Sequence, residues 1–562
     1  MRLIVAETFI ETQCISFAEF YGDVPPYAIL SHTWDDQQEV IFQECNLESA
    51  KSKTGYEKIR KTCELALGDG IYYVWVDTCC IDKSSSAELT EAINSMFLWY
   101  QKASICYVYL VDKFEESPLA NCRWFTRGWT LQELIAPRVM TFFNYTWGCI
   151  GTKESLMGQL ISITPIDPEI LRHNAPVSSA CIAKRLSWAA GRKTTRVEDI
   201  AYCLLGICNV HMPMLYGEGE TAFRRLQEEI IRTTCDLSLL AWTPLVSSPS
   251  LEKEYCGFLA ESVDHFASCS EMYSVANSLL GEGDISVSNK GLRLMAGVHV
   301  LDYSHQGYRY VLGLDCMSPG FDGDFLIIPM RKVGPNIFVR ARSLEEGKWD
   351  SFYLGSTSSA GNVFCTVTLL ATIPNSSIGS PSATARSSDL ISQSRFALVT
   401  IELPPDIPIS YGTQTPDKLW DVEDRVFFGP HDSYKNWGAI ILKTNTLFIC
   451  FWEKEGTGWT FNASLLDWEK KEVRDLWKDL LISADQLCYE SQMVRYMLTN
   501  VEDEMKSSIE TRLKEDRITL SFKVWRADDQ SLCSGPRWRV VFSQTIFTER
   551  ASSPRPGPGS KG

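Results

Sequence analysis

The sequence predicts an α/β N-terminal domain with a mainly parallel central sheet and extra helices, followed by a β-rich C-terminal domain. Three observations lead to this fold class. Between residues 27 and 144, short apolar runs alternate with segments whose apolar residues recur at helical spacing, a pattern typical of parallel α/β sheets. After about residue 247, helical spacing gives way to short β-type runs. The chain also has 562 residues, several times a typical domain of about 100 to 150 residues.

The elements of the first domain alternate strand and helix in order. Strands are predicted where short runs such as YYVWV are apolar, at residues 27–31, 72–77, 104–111 and 139–143. Helices are predicted where apolar residues recur every three or four positions, at residues 56–67, 86–103 and 124–135. Ser85 and Glu88 fit the S/T-x-x-E capping box before the middle helix, which gives Glu88 a structural role.

Two more helices are predicted to pack beside this sheet, at residues 187–207 and 220–232. Within the first of them, Thr195 and Glu198 fit a second capping box, whose hydroxyl and carboxylate would satisfy free N–H groups at a helix start. With these helices included, the first domain is expected to span residues 1–242.

The second half of the chain is predicted to form a β-rich domain over residues 247–548. Its strands are expected at short β-type runs, at residues 298–301, 310–314, 325–329, 396–403 and 438–442. A charged helical insertion is expected near residues 465–514. Ser, Pro and Gly crowd residues 374–394 and 549–562, which are predicted to be a mobile loop and a disordered tail.

Composition and charge disfavour several classes of function. Asp and Glu number 70 against 54 Lys and Arg, and the net charge of -16 disfavours nucleic acid as a partner. The N-terminus lacks a secretory signal pattern, and no apolar run reaches the roughly 20 residues that a bilayer requires. We therefore expect a cytoplasmic protein without a membrane span. Its 19 cysteines are then expected to be free thiols, and its 7 isolated histidines disfavour a metal site.

Polar side chains follow three predicted strands at the edge where doubly wound sheets bind ligands. In the flavodoxin-like strand order 2-1-3, the ligand crevice lies at the carboxyl ends of the first and third strands. The polar or aromatic residues that end or follow the first three strands are candidate ligand-binding residues: Ser31, His32, Thr33, Trp34, Asp35, Asp36, Asp77, Thr78, Cys79, Cys80, Asp82 and Asp112. The alternative is that these strand ends simply turn into polar loops where they meet water.

The segment CRWFTRGWTLQEL places further candidates on the helix after the third strand. Trp129 and Glu133 are four residues apart and would therefore share a helix face. An aromatic ring beside a carboxylate can stack on a flat ligand and stabilise a developing positive charge, which would suit a nucleotide. The alternative is a core tryptophan and a surface glutamate that forms an ion pair with Arg127 or another base.

Other catalytic motifs are absent or incomplete in the sequence. GEGETAF at Gly217 lacks the preceding strand and the third glycine of a dinucleotide fingerprint, and no G-x-x-x-x-G-K-[ST] phosphate loop occurs. A Cys-His protease would use Cys79 or Cys80 with His32, but the surroundings typical of caspase-type and papain-type enzymes are missing.

From Met1 to about Trp242 the sequence resembles the fungal heterokaryon-incompatibility (HET) domain. The resemblance rests on YAILSHTWDD, on the segment from GYEKIRKTC to ICYVYLVD, on RWFTRGWTLQELIAP, and on the segment from SWAAGRKTTRVEDIAYCLLGIC to FRRLQEEII. Members of this family trigger growth arrest and cell death when genetically incompatible fungal cells fuse. The resemblance implies fungal non-self recognition, a form of innate immunity, with programmed cell death as the outcome. Its implied partners are a second copy of the chain or another incompatibility protein.

A more distant resemblance is to TIR domains. Their first strand ends in a Ser-containing loop followed by acidic residues, and their third helix carries the pattern W-C-x-x-E-L. Here AILSHTWDD and GWTLQEL stand at those places, with Thr130 where the pattern has Cys. The resemblance implies a TIR/flavodoxin-like fold for the N-terminal domain.

The resemblance to TIR domains also implies two functions. Some TIR domains are NAD-cleaving enzymes in which the Glu of that pattern is catalytic, which implies Glu133 as the catalytic residue and NAD as the substrate. The residues implied to bind such a nucleotide ligand are Ser31, His32, Trp34, Asp35, Asp77, Arg127 and Trp129; no cofactor or metal is implied. Many TIR domains are adaptors without catalysis, so a signalling module and an NAD glycohydrolase both stay open.

Overall fold

The structure is a computed structural model of the chain. It describes residues 1–35, 37–243 and 255–274, and from residue 285 onward it describes the strands given below with a few adjoining residues. None of the helices in this described part of the chain is long and apolar enough to cross a membrane.

A seven-stranded sheet forms the centre of the N-terminal domain, with strands in the order β2-β1-β4-β3-β5-β6-β7. Its strands are β1 Arg2–Val5, β2 Phe17–Glu19, β3 Tyr27–His32, β4 Tyr73–Trp75, β5 Ile105–Tyr109, β6 Met140–Phe143 and β7 Cys149–Thr152. All six residues of β3 are buried, as expected for a strand in the middle of a covered sheet. The four predicted strands correspond to β3, β4, β5 and β6.

The sheet is mixed, which corrects the prediction of a mainly parallel sheet. β3 is parallel to β4 and β5, and β5 is parallel to β6. At the edges, β1 is antiparallel to β2 and β4, and β7 is antiparallel to β6. β2 and β7 have no buried residue, so their sequences lack the apolar run by which the inner strands were predicted.

Ten α-helices surround the sheet and extend the domain. Their bounds are α1 Ala6–Thr12, α2 Thr54–Gly68, α3 Ser86–Lys102, α4 Thr130–Ile135, α5 Met157–Ile163, α6 Pro168–Leu171, α7 Ile182–Ser187, α8 Asp199–Tyr202, α9 Leu205–Cys208 and α10 Thr221–Thr233. The predicted helices at 56–67, 86–103 and 220–232 are confirmed as α2, α3 and α10. The predicted cap of α3 is also confirmed, because the Ser85 hydroxyl accepts the Glu88 N–H at 3.3 Å.

The predicted helix at 187–207 is wrong, since α7, α8 and α9 are separate short helices. Gly191 adopts a φ of +76°, a left-handed conformation that interrupts a helix. Glu198 is not part of a capping box either. Its carboxylate accepts the N–H groups of Gly217 at 2.8 Å and Gly219 at 3.1 Å, and so holds a distant loop instead of its own helix start.

From residue 285 onward the described part of the chain is almost entirely β-structure, as predicted, whereas residues 255–274 hold two short strands and a 3-10 helix, Val263–Cys269. The strands are β8 Tyr255–Cys256, β9 Tyr273–Ser274, β10 Ile285–Ser288, β11 Gly291–Asp302, β12 Tyr308–Gly313, β13 Cys316–Met317, β14 Phe325–Gly334, β15 Ile337–Ala341, β16 Asp350–Phe352, β17 Ser359–Leu369, β18 Ala397–Glu402, β19 Trp420–Asp421, β20 Val426–Gly429, β21 Lys435–Ile441, β22 Thr446–Lys454, β23 Gly458–Leu466, β24 Ser508–Leu513, β25 Asp516–Ala527 and β26 Arg537–Phe547. The residues between β23 and β24, which include most of the predicted helical insertion, lie outside the described residues, but the end of that prediction is wrong because Ser508–Leu513 form the strand β24. The predicted loop at 374–394 and the tail at 549–562 also lie outside the described residues.

These strands form antiparallel sheets apart from two parallel pairings, β15 with β17 and β18 with β26. The first of the sheets shares one continuous apolar core with the N-terminal domain. Two polar contacts reinforce this packing. The Gln227 side chain donates to the carbonyl of Ala260 and accepts its N–H, both at 2.9 Å. Arg340 on β15 donates to the carbonyl of Leu240 at 2.9 Å.

Candidate functional site

The candidate residues gather at one edge of the N-terminal sheet because β3, β4 and β5 run parallel and end there. Ser31 and His32 end β3, Asp77 follows β4, and Asp112 follows β5. α4 begins after the loop that follows β5, and it brings Glu133 to the same edge. The structure therefore assembles the candidates as the predicted strand order requires, although this placement does not test their roles.

Glu133 and Ser31 meet in a buried hydrogen bond. The Ser31 hydroxyl donates to Glu133 Oε2 at 2.5 Å and accepts from the indole nitrogen of Trp124 at 2.9 Å. Ser31 has no exposed surface and Glu133 is only 6% exposed. The interpretation of Glu133 as a surface residue paired with Arg127 is therefore wrong. Arg127 instead donates to the hydroxyl of Thr195 at 2.9 Å.

Burial controls the charge of Glu133. It raises the pKa of the carboxyl group to about 8, although hydrogen bonds from Ser31 and Tyr100 act to lower it. Desolvation disfavours the charged form of a carboxylic acid, and no cation is close enough here to reverse that effect. At neutral pH the Glu133 side chain is therefore mostly a neutral carboxylic acid held inside the domain.

The loop at residues 191–193 fixes the start of α4. Arg192 Nη1 donates to the carbonyl of Arg127 at 3.0 Å, and the N–H of Gly128 donates to the carbonyl of Lys193 at 2.9 Å. Gly128 has no room for a side chain, because a Cβ there would lie 2.5 Å from the Thr194 methyl carbon. The sequence analysis missed Arg192, whose partners are the carbonyls of Trp188 and Arg127 and the hydroxyl of Thr130, which no sequence pattern identifies.

A second polar network surrounds His32. Lys58 on α2 donates to Glu39 Oε1 at 2.5 Å and lies 3.3 Å from His32 Nδ1. Because an ammonium group can only donate, Nδ1 accepts, and the other ring nitrogen carries the proton that it donates to Asp77 Oδ1 at 3.2 Å. The sequence analysis missed Lys58 and Glu39.

Trp34 and Lys83 extend this network toward the surface. The Trp34 indole donates to Asp77 Oδ2 at 2.9 Å, and the Lys83 ammonium lies 3.5 Å from the centre of the Trp34 ring. Burial alone would raise the pKa of Asp77, but hydrogen bonds from His32 and Trp34 and the charge of Lys83 together lower it. Asp77 is therefore an anion in the folded protein.

Two other candidates sit at the periphery of these networks. Asp35 forms an ion pair with Arg123 at 2.9 Å. Trp129 is half-buried beside Asp199. Burial raises the pKa of Asp199, although hydrogen bonds from Tyr216 and Trp129 act to lower it. The structure thus joins Ser31 to Glu133 and joins His32, Trp34 and Asp77 to one another, whereas Arg127 and Trp129 contact the segment around residues 195–199.

A Cys-His protease site is not formed. Both ring nitrogens of His32 are occupied by Lys58 and Asp77. Cys79 and Cys80 are buried, and burial raises the pKa of the Cys79 thiol well above its usual value, which opposes formation of a nucleophilic thiolate. No group of three or more His, Cys, Asp or Glu side chains within the described ranges is arranged to hold a metal ion.

Comparison with known proteins identifies the family of the N-terminal domain. Residues 27–121 match the heterokaryon incompatibility protein (HET) family, and residues 221–354 match a domain of unknown function, DUF8212. No solved structure is significantly similar to the chain. Over 255 residues the chain is 46% identical to the vegetative incompatibility protein HET-E-1 of Podospora anserina; this alignment covers 43% of the chain and only 19% of that protein. The chain thus carries a HET domain and is homologous to the vegetative incompatibility protein HET-E-1.

Proposed function

We propose that this chain is a heterokaryon incompatibility protein, a cytoplasmic non-self recognition protein whose TIR-like HET domain acts as an effector of programmed cell death. The observation that carries the proposal is the match of residues 27–121 to the HET family, together with 46% identity to HET-E-1 over 255 residues. The partner is a second copy of the chain or another incompatibility protein.

The sheet supports the TIR-like part of the proposal. Its four central strands occur in the order β4-β3-β5-β6, in which the first predicted strand lies between the second and the third. This is the 2-1-3-4 order of flavodoxin-like sheets, in which ligands bind at the carboxyl end of the first and third strands. The candidate residues are located at that edge.

The state of Glu133 favours signalling by assembly over catalysis. A glutamate that stabilises the oxocarbenium-like ribose of NAD must be negatively charged and must touch the substrate. Here the carboxyl group is 6% exposed, bonds to Ser31, and has its pKa raised to about 8 by burial. In this arrangement Glu133 fastens α4 to the end of β3, and the domain signals through its surface.

A second candidate function is NAD cleavage with Glu133 as the catalytic residue. It is favoured by one observation: Ser31 and Glu133, which lie 102 residues apart in sequence, are in direct contact at the edge where the resemblance to TIR domains locates the substrate. In this alternative, assembly of the HET domains would expose and ionise Glu133.

Glu133→Gln separates the two functions. Glutamine has the shape of a neutral glutamic acid and keeps an oxygen that can accept from Ser31, so the fold is expected to survive. If the domain signals by assembly, overexpression of Glu133→Gln in a fungal host kills cells as the natural sequence does. If the domain cleaves NAD, Glu133→Gln loses both killing and NAD consumption by the purified, concentrated chain, because an amide cannot supply the negative charge.

The matched control is Glu48→Gln, which makes the same chemical change at a carboxylate whose side chain is 86% exposed. It is expected to kill cells under either function. Loss of killing by a stably folded Glu133→Gln protein, with NAD consumed by the natural sequence, would refute the signalling proposal. Absence of killing by the natural sequence itself would refute the role as a cell-death effector.

A further inference from the structure

Lys83 carries a buried ammonium group without a hydrogen-bond partner. Within the described part of the chain no acceptor lies within reach of its nitrogen, although an ammonium has three N–H donors. Burial lowers the pKa of Lys83, against the attraction of Asp77 and other carboxylates. A buried charge without hydrogen bonds destabilises a fold, so this position opposes the stability of the domain. An unsatisfied buried polar group in a folded protein requires an explanation, and a role in binding is one.

The side chain of Trp34 covers this ammonium. Its ring centre lies 3.5 Å from the Lys83 nitrogen, and its outer face is open, since the residue is 45% exposed. The backbone beneath is anchored, because the Trp34 carbonyl accepts from Arg123 Nη2 at 3.1 Å. Outward rotation of the indole about its side-chain bonds would leave this backbone hydrogen bond in place.

Outward rotation of Trp34 would free a donor and an acceptor at the same place. The indole nitrogen of Trp34 donates to Asp77 Oδ2 at 2.9 Å, while Asp77 Oδ1 accepts from His32 at 3.2 Å. When the indole leaves, Oδ2 becomes available beside the three N–H groups of Lys83. The neighbouring charges of Lys58 and Glu39 are already paired at 2.5 Å and add no net charge to the site.

A carboxylate beside an ammonium selects for hydroxyl groups. An anionic ligand would meet the charge of Asp77, and a cationic ligand would meet that of Lys83. A hydroxyl group, in contrast, accepts from the ammonium and donates to the carboxylate at once. Two adjacent hydroxyls on a sugar ring satisfy both groups, much as acidic residues bind the ribose hydroxyls of dinucleotides. The displaced indole then offers its apolar face to the ring.

We propose that Lys83, Asp77 and Trp34 form a binding site for the vicinal diol of a sugar ring, with Trp34 as its lid. This inference deepens the ligand-binding role proposed for Trp34 and Asp77, and it adds Lys83 as the principal donor. It requires no catalysis by Glu133. The diol belongs either to the ribose of a nucleoside or to a hexose, and the two sources are distinguished by direct binding.

The test is calorimetric titration of the purified full chain with three probes. Adenosine carries the ribose diol, methyl α-mannoside carries a hexose diol, and 2′,3′-dideoxyadenosine lacks the diol. Binding of adenosine with at least about tenfold weaker binding of the dideoxy compound identifies a ribose site, since loss of one good polar interaction is worth about a factor of ten. Binding of the mannoside alone identifies a hexose site. Equal binding of the two nucleosides, or no binding of any probe, overturns the proposal.

Lys83→Met tests the role of the ammonium group directly. Methionine keeps the chain length and removes the buried charge, but it also removes an attraction that stabilises the buried Asp77 anion, so no rise in melting temperature is expected. The same variant is expected to lose diol binding. Diol binding retained by a folded Lys83→Met protein would overturn the assignment of Lys83 as a ligand group.

Matched controls keep these outcomes specific. Lys61→Met removes a half-exposed lysine that pairs with Glu64, and it is expected to leave diol binding unchanged. Trp34→Ala is expected to weaken binding, whereas Tyr21→Ala, at an aromatic residue that is 91% exposed, is not. Because binding is measured on purified protein and the proposed cell-death function in living cells, failure of one is distinguishable from failure of the other.

Discussion

Glu133 gives the folded protein a stability that depends on pH in a direction unusual for a glutamate. Burial raises its pKa from 4.5 to about 8, so the folded state holds a proton that the unfolded state releases over that range. A group of this kind contributes stability that is fully present below pH 4.5 and is lost as pH rises through 8. At about 1.36 kcal/mol per pH unit, the full loss is about 5 kcal/mol.

Glu133→Gln removes this titration while it keeps an acceptor for Ser31. Below pH 4.5 both side chains are neutral, and the two proteins are expected to have similar free energies of unfolding. At pH 7 the variant is expected to be the more stable by about 3 kcal/mol, and at pH 9 by about 5 kcal/mol. Titration of the other groups is common to both proteins and cancels in the difference.

Urea unfolding of the full chain at pH 5, 7 and 9 measures this difference. The fluorescence of the fully buried Trp75, Trp124 and Trp188 follows the N-terminal domain. Glu48→Gln gives the baseline for the same change at the surface. A difference that stays constant with pH would refute the reasoning. So would a Glu133→Gln protein less stable than the natural sequence at pH 9, because Glu133 would then be a stabilised anion in the folded state.

Three further predictions concern positions that the structure constrains. Gly128→Ala is expected to lower the free energy of unfolding by about 1–3 kcal/mol because its Cβ would lie 2.5 Å from the Thr194 methyl carbon, and adding Thr194→Ser should restore most of the loss in thermal unfolding. Burial lowers the pKa of Lys153 from 10.5 to about 8, so the folded state releases this proton at a lower pH than the unfolded state does. The free energy of unfolding is therefore expected to rise by about 3 kcal/mol between pH 8 and 10.5, relative to that of Lys153→Met. A difference between the two proteins that stays constant with pH in urea unfolding would contradict this. Arg340→Ala removes two hydrogen bonds to backbone carbonyls and a contact 4.0 Å from the centre of the Trp242 ring. It is expected to lower the free energy of unfolding by about 2–5 kcal/mol and to speed amide hydrogen exchange in residues 237–243. Unchanged exchange in these residues would contradict the prediction.

The central part of the N-terminal fold could be predicted because its elements are long or wholly buried. β3 and β5 consist of buried, mostly apolar residues, and α2 and α3 repeat their apolar residues over 15 and 17 positions. α4 shows why other elements could not be predicted. The bridge between Arg127 and Lys193 pulls the chain out of helical geometry, so the predicted helix at 124–135 becomes a 3-10 helix, Arg123–Thr126, followed by α4. A contact across 66 residues leaves no local trace.

Part of the candidate site could also be predicted from the sequence, and part of it could not. The gathering of Ser31, Asp77 and Glu133 at one sheet edge follows from strand order alone, and strand order could be inferred from the alternation of strands and helices. Burial of Glu133 could not be inferred, because its partners Ser31 and Tyr100 come from distant parts of the sequence. The partners of His32 were equally hidden. Lys58 stands on α2 between Glu57 and Ile59, and nothing in its sequence surroundings distinguishes it from the partly exposed Arg60 and Lys61 on the same helix.

The raised pKa of Glu133 also sets part of the free energy that separates the buried, neutral form of its carboxyl group from the exposed, charged form that catalysis requires. With a pKa of about 8, ionisation at pH 7 costs only about 1.4 kcal/mol, whereas exposure of the carboxylate also requires loss of the hydrogen bond from Ser31, worth about 1–3 kcal/mol. An assembly contact shifts such an equilibrium by its preference for the open state, and a few kcal/mol of preference would suffice. Charge and access are therefore barriers of similar size, each of only about 1–3 kcal/mol. A Glu133→Gln protein that assembles normally and still kills would show that assembly acts without opening this site.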